Sequence, residues 1–171
     1  MKNSITCRWV SLAALIFAIA ACTTAPQAVL EYGEPVVVEG PLPYLGVHGL
    51  GIAPSGDLLA GSVLGQSLSR VDRKSGTVTS FQAPPVGMAD DVAFGPNGET
   101  AWTANRVGEL RLSNAAGEVR TVARGLPGVN SLAYTDDGRL FASRVFMGDA
   151  LYEIDRQGIQ EPRKIMEGMG G

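Results

Sequence analysis

Three stretches of this chain repeat one pattern at a nearly constant spacing. Each begins with a polar residue, continues with an apolar run and ends at a turn glycine; the stretches are His48–Gly56, Asp90–Gly98 and Asn130–Gly138. Their final glycines lie 42 and 40 residues apart. A period near 40 residues, with several short strands in each unit, is typical of the blades of a β-propeller.

Each unit contains four short segments that are bounded by turn residues and have the apolar pattern of β-strands. The predicted strands are Leu50–Ala53, Leu58–Ser62, Leu68–Asp72 and Val78–Phe81 in the first unit, Val92–Phe94, Thr100–Thr103, Gly108–Leu112 and Val119–Val122 in the second, and Leu132–Tyr134, Leu140–Ser143, Ala150–Ile154 and Pro162–Ile165 in the third. The aromatic residues Trp102, Tyr134 and Phe141 recur at strand positions, which predicts that they pack between blades.

The composition favours an all-β protein. The 171 residues include 22 glycines and 10 prolines, which favour many turns over long helices. An ordinary β-sandwich with coincidental spacing is the alternative all-β arrangement.

With a net charge of −3, the chain has no basic face that would indicate nucleic-acid binding.

The N-terminus has the features of a secretory leader. Lys2 and Arg8 provide positive charge, and residues 9–21 are almost entirely apolar. This run is shorter than the roughly 20 residues that a helix needs to cross a bilayer. We therefore interpret residues 1–21 as a signal peptide that directs the chain into the bacterial cell envelope.

The end of the leader resembles a bacterial lipobox. Ile19-Ala20-Ala21-Cys22 has a branched aliphatic residue, two small residues and a cysteine. We predict lipidation at Cys22 and a lipid-anchored linker over residues 22–43, with ordinary secretory cleavage as the alternative. Thr23 in the next position favours the periplasmic face of the outer membrane over inner-membrane retention.

The number of units conflicts with ring closure. Blades at about 48–82, 90–123 and 130–167 fill the predicted domain, residues 44–171. Closed propellers have about four to eight blades. We predict a partial β-propeller of about three four-stranded blades, interpreted as a truncated copy of a six-bladed parent. A half-propeller that closes as a symmetric homodimer is the alternative.

His48, Asp90 and Asn130 occupy the same position in the three units. The first strand of each propeller blade lines the central channel, so equivalent side chains should meet at one mouth of it. Imidazole, carboxylate and amide groups are competent ligands for Ca²⁺, Mg²⁺, Mn²⁺ or Zn²⁺. The alternatives are a structural histidine and ordinary turn or capping hydrogen bonds of Asp90 and Asn130.

The repeated polar residue, apolar stretch and turn glycine resemble the six-bladed propeller family of senescence marker protein, gluconolactonase and luciferin-regenerating enzyme. His48 stands where that family has a glutamate ligand, Asp90 where it has an asparagine, and Asn130 matches in identity. The resemblance implies metal-dependent hydrolysis of lactones or esters, with His48 and Asp90 as catalytic residues and all three side chains as metal ligands.

The resemblance also implies limits on activity. A three-blade copy lacks the far wall of the site that would exclude water, so we expect little activity from it alone. No cofactor besides the divalent metal ion is predicted. The alternative function is a non-catalytic, NHL-like propeller that binds a ligand or a protein in the periplasm.

Overall fold

The structure is a computed structural model that describes residues 45–169. These residues form three four-stranded antiparallel sheets, each with its strands in chain order. Blade 1 consists of β1 (Val47–Ile52), β2 (Leu58–Ser62), β3 (Ser67–Val71) and β4 (Val78–Gln82). Blade 2 consists of β5 (Val92–Phe94), β6 (Thr100–Ala104), β7 (Glu109–Ser113) and β8 (Val119–Ala123). Blade 3 consists of β9 (Val129–Tyr134), β10 (Leu140–Arg144), β11 (Ala150–Ile154) and β12 (Arg163–Glu167), and a short 3-10 helix, Asn105–Val107, follows β6.

The predicted all-β class and the three four-stranded units are confirmed. The largest boundary differences are at β1 and β9, which begin earlier than predicted because their first residues still pair with the next strand. Val47 pairs with Ser62 and Val129 pairs with Arg144, each beyond an irregularity in register. His48 and Asn130 therefore lie within strands.

Two hydrophobic cores hold the blades together. The core between blades 1 and 2 contains Ala53, Leu59, Leu68, Ala89, Val92 and Trp102. The core between blades 2 and 3 is larger, and Tyr134 packs against it as predicted. Phe141 differs from the prediction: it belongs to neither core, and the Arg139 guanidinium lies 5.0 Å from its ring centroid.

Glycines in the first two strands of blade 1 allow this blade to approach blade 2 closely. A Cβ on Gly49 would lie 3.0 Å from the Asp90 carbonyl oxygen, and one on Gly61 would lie 2.5 Å from the Ala89 carbonyl oxygen. A side chain at either position would push the two blades apart. The glycine next to His48 therefore allows that residue to reach Asp90.

The predicted signal peptide (residues 1–21), the lipidation site Cys22 and the linker (residues 22–43) lie outside the described residues. Within residues 45–169, no helix is long and apolar enough to cross a membrane.

Candidate functional site

The structure brings together the three polar side chains that open the repeats. Nδ1 of His48 lies 2.5 Å from Oδ1 of Asp90. The amide nitrogen of Asn130 donates to Oδ2 of Asp90 at 2.6 Å. The Asp90 side chain is only 6% exposed, whereas that of His48 is 61% exposed. The centre of the cluster is thus a buried carboxylate with an accessible imidazole beside it.

Thr103 holds the backbone that carries Asp90. The Asp90 amide donates to the Thr103 carbonyl at 2.9 Å, and the Thr103 amide donates to the Asp91 carbonyl at 3.1 Å. The Thr103 hydroxyl accepts a further bond from the Asp91 amide at 3.0 Å. Because Thr103 is fully buried, these bonds anchor the segment to β6.

The neighbouring acid, Asp91, has a structural role. Its carboxylate accepts hydrogen bonds from its neighbour Val92 and from the Leu132 amide in blade 3, both at 2.9 Å. It therefore links blade 2 to the backbone of blade 3.

Asn105 is a further site residue, which the position shared by the three repeats does not predict. Its amide nitrogen donates to Oδ2 of Asp90 at 3.2 Å and to the Val129 carbonyl at 2.9 Å. These two acceptors determine how the amide is oriented. The sequence does distinguish Asn105 from its equivalents, because the same repeat position is the apolar Val63 in blade 1 and Val145 in blade 3. A polar residue that replaces an apolar one at a single repeat position can indicate a specific contact.

Burial raises the pKa of Asp90, and the adjacent His48 opposes that shift. An ionised carboxylate is only an acceptor, so at 2.5 Å the Nδ1 atom of His48 must carry the hydrogen. In the neutral ring, Nε2 is then left with a free lone pair. A carboxylate that orients an imidazole and stabilises its protonated form is the arrangement of a general base.

Replacing Asp90 by asparagine is expected to stabilise the fold at pH 7 by about 1 kcal/mol, because the amide keeps the shape without a buried charge. The raised pKa means that the folded state binds the proton more tightly than the unfolded chain. The contribution of Asp90 to the free energy of unfolding should therefore fall as pH rises above 3.8, so the advantage of the variant over the wild type should grow across that window. Urea denaturation of both proteins between pH 3 and pH 7 measures this difference.

Asp137→Asn is the matched control for that measurement. The Thr135 hydroxyl lowers the pKa of Asp137, so this exposed carboxylate should give the opposite pH dependence. A lower free energy of unfolding in the Asp90 variant than in the wild type at pH 7 would show instead that the ionised pair with His48 is net stabilising.

The donor chemistry of the cluster fits a divalent cation. Asp90 supplies a buried carboxylate, and the groups in contact with it are His48, Asn105 and Asn130. A half-turn of the Asn130 amide would exchange its nitrogen for its oxygen. Residues 45–169 contain no cluster of three His, Cys, Asp or Glu side chains, so an ion bound to Asp90 would also need an amide oxygen, such as that of Asn130.

A second concave region lies at the opposite end of blade 3 and does not involve these residues. It is a groove of about 460 Å³ lined mainly by charged side chains, among them Arg139, Glu153 and Arg163. Both arginines pair with Glu153, which lowers its pKa to about 2. The stabilising pairs should be lost as pH falls from 4.5 toward that value. We interpret this groove as structural because its acid is occupied by the two arginines.

Solved structures with this fold are found among enzymes and binding proteins. A catalytically inactive histidine-to-alanine variant of virginiamycin B lyase from Staphylococcus aureus, crystallised with quinupristin, matches with a TM-score of 0.60 at 15% identity, over 73% of this chain and 42% of that one. A gluconolactonase from Xanthomonas campestris matches with a TM-score of 0.57 at 13% identity, over 71% of this chain and 47% of that one. A nidogen/laminin complex gives a TM-score of 0.62 at 15% identity, over 72% of this chain and 49% of that one.

The described residues form three blades of a β-propeller. The chain spans less than half the length of each of these propeller structures. No family model and no curated protein matches the sequence. At these identities the likeness establishes the propeller fold. His48 and Asn130 lie on the first strands of their blades, and Asp90 lies two residues before the first strand of blade 2.

Proposed function

We propose that this propeller is a hydrolase of lactones or esters in which His48 is the general base. The observation that supports this proposal is the contact of 2.5 Å between Nδ1 of the exposed His48 and the buried carboxylate of Asp90. A histidine needed only for packing would be expected to be buried, whereas 61% of this side chain is open to solvent.

In the proposed reaction, Nε2 of His48 accepts a proton from a water molecule as the water oxygen attacks the carbonyl carbon. Asp90 stays ionised and stabilises the imidazolium. The C–O bond to the leaving alkoxide then breaks, and His48 returns the proton to that oxygen. The products are a carboxylic acid and an alcohol, which remain one molecule when the substrate is a lactone.

A divalent ion held by Asp90 and the amide oxygen of Asn130 would polarise the substrate carbonyl. His48 has only one free nitrogen, so it cannot be a metal ligand and the general base at the same time. We propose the base role for His48, which leaves an oxygen ligand set that suits Ca²⁺, Mg²⁺ or Mn²⁺ better than Zn²⁺. Asn105 is a positioning residue, because its amide nitrogen is shared between Asp90 and the Val129 carbonyl.

An exposed apolar loop borders the same end of blade 3. Phe146 and Met147, between β10 and β11, are 72% and 67% exposed. Met147 lies against Gly128, two residues before Asn130: a Cβ on that glycine would be 2.9 Å from the Met147 amide nitrogen. This surface favours substrates with an apolar portion next to the carbonyl.

The metal proposal is tested by thermal unfolding of the whole chain with Ca²⁺, Mg²⁺, Mn²⁺ or Zn²⁺ and with chelator. We expect at least one of these ions to raise the melting temperature of the wild type. Asn130→Ala should abolish that increase, whereas Asn97→Ala, in the hairpin turn at the other end of blade 2, should retain it. His48→Asn should also retain it, since the proposed ligands are oxygen atoms of other residues.

The alternative is a propeller that binds without catalysis. Among the described residues, nothing encloses the imidazole of His48, and such an open site suits ligand binding as well as hydrolysis. Indifference to both ions and chelator, together with no turnover of aliphatic lactones or aryl esters, would favour that alternative.

A further inference from the structure

The inner strand of blade 1 exposes apolar side chains whose equivalents in the other two blades are buried or partly buried. Leu50, Val92 and Leu132 are equivalent in the repeat. Val92 and Leu132 are 6% and 8% exposed because each packs against the preceding blade, but Leu50 is 61% exposed. Ile52 lies on the same face of β1 and is 62% exposed. We call this surface, Leu50 and Ile52, the front face of blade 1.

Blade 3 has a complementary surface on its far side. Leu151 is equivalent to Leu68 and Leu110, which are both fully buried against the following blade. Phe141 is equivalent to Leu59, which is 1% exposed. In blade 3 both positions are only partly buried. We call this surface, Phe141 and Leu151, the back face of blade 3.

The junction between blades 1 and 2 shows what such faces bind. There, Leu59 and Leu68 from a back face and Val92 from a front face belong to one buried cluster. The two unpaired faces of this chain thus repeat the chemistry of the two halves of that junction. Apolar side chains exposed at equivalent positions favour contact with the matching surface because burial removes them from water.

We propose that a second copy of this chain covers both faces, with the back face of each copy on the front face of the other. The pairing is symmetric and closes a ring of six blades. Three blades span 47% and 49% of the two gluconolactonase structures that match this chain, so two copies provide about the length of one such propeller. Each His48 would then border the third blade of the partner copy, which supplies a wall to the site.

The test is the mass of the purified 171-residue chain, measured by light scattering during size-exclusion chromatography in a mild detergent. We expect twice the chain mass of 17.9 kDa. Leu50→Lys and Leu151→Glu should each be monomeric. Ile159→Lys changes a residue that is 84% exposed on the loop before β12 and should stay dimeric.

Mixing the two monomeric variants distinguishes this ring from other dimers. In a mixed pair, one junction is wild type at both positions and the other places the introduced lysine against the introduced glutamate. We therefore expect the mixture to recover the dimer mass. Far-UV circular dichroism shows whether each variant is folded. If either first variant fails to fold, the same mixing experiment is done with Ile52→Lys and Phe141→Glu.

A monomeric wild type over the micromolar range would overturn the proposal and would leave residues 1–44 or another protein as the cover for these faces. Dimers that persist in both single variants, or a mixture that stays monomeric, would overturn it too. None of these outcomes depends on hydrolysis, so the failure of this proposal and the failure of the proposed function are distinguishable.

Discussion

Substitution of His48 by asparagine is expected to lower kcat for lactone or ester hydrolysis by about 10²–10⁴-fold, the usual contribution of a general base. The asparagine amide can still donate to Asp90 at the place of Nδ1, but it has no counterpart of Nε2. The variant thus removes proton transfer and keeps the hydrogen bond on the buried carboxylate. Steady-state kinetics with an aliphatic lactone and an aryl ester, from pH 5 to pH 9, measure the effect.

The pH profile separates catalysis from structure in this experiment. The wild type should show the acid-side loss of activity that a general base produces, and the variant should lack it. Thermal unfolding of the two proteins should agree closely, because His48 is largely exposed. Activity within a factor of three of the wild type, with the same pH profile, would exclude His48 as the base.

Replacing Trp102 by alanine is expected to destabilise the fold by about 3–5 kcal/mol, the usual cost of deleting a buried aromatic side chain. Trp102 is fully buried in the core between blades 1 and 2. Its indole nitrogen also donates to the Val86 carbonyl at 3.1 Å, in the segment that leads to Asp90. Urea denaturation followed by far-UV circular dichroism measures the loss, and affinity for the stabilising ion should weaken with it.

Trp102→Phe is the matched control for the alanine variant. It keeps a six-membered aromatic ring in the core but deletes the hydrogen bond to Val86 and part of the indole, so it should cost about 1 kcal/mol for the hydrogen bond in addition to a packing loss smaller than that of alanine. Val119→Ala, on the outer strand of blade 2 and 37% exposed, should change stability little. If Trp102→Ala were no more destabilising than Trp102→Phe, the indole would not be the main contact between these blades.

The repeat explains why the strands were easier to predict than the site. Turn glycines such as Gly56, Gly98 and Gly138 have positive φ and end one strand before the next begins, so local sequence determines where strands start. The convergence of His48, Asp90 and Asn130 could be predicted because equal repeat positions occupy equal places around one axis. Asn105 could not be assigned by that argument, since it has no polar counterpart in the other two blades.

The contacts between blades could not be predicted from the sequence and became clear only from the tertiary structure. Asp90 and Asp91 are adjacent aspartates that the sequence does not distinguish. In the structure the Asp91 carboxylate accepts a hydrogen bond from the Leu132 amide, whereas Asp90 contacts His48. Trp102 and Phe141 are both strand aromatics, but Phe141 occupies the position of Ala101 and so points to the opposite side of its blade, which no described blade covers.

The all-β class, the three four-stranded units and the shared position of the three polar residues could be predicted from local patterns, because turn chemistry and strand alternation act over a few neighbouring residues. The identity of the buried carboxylate, the amide that supports it and the apolar faces that stay open became clear only from the packing of the blades. Those properties depend on the distance between blades that are about 40 residues apart in the chain, and no local pattern encodes that distance.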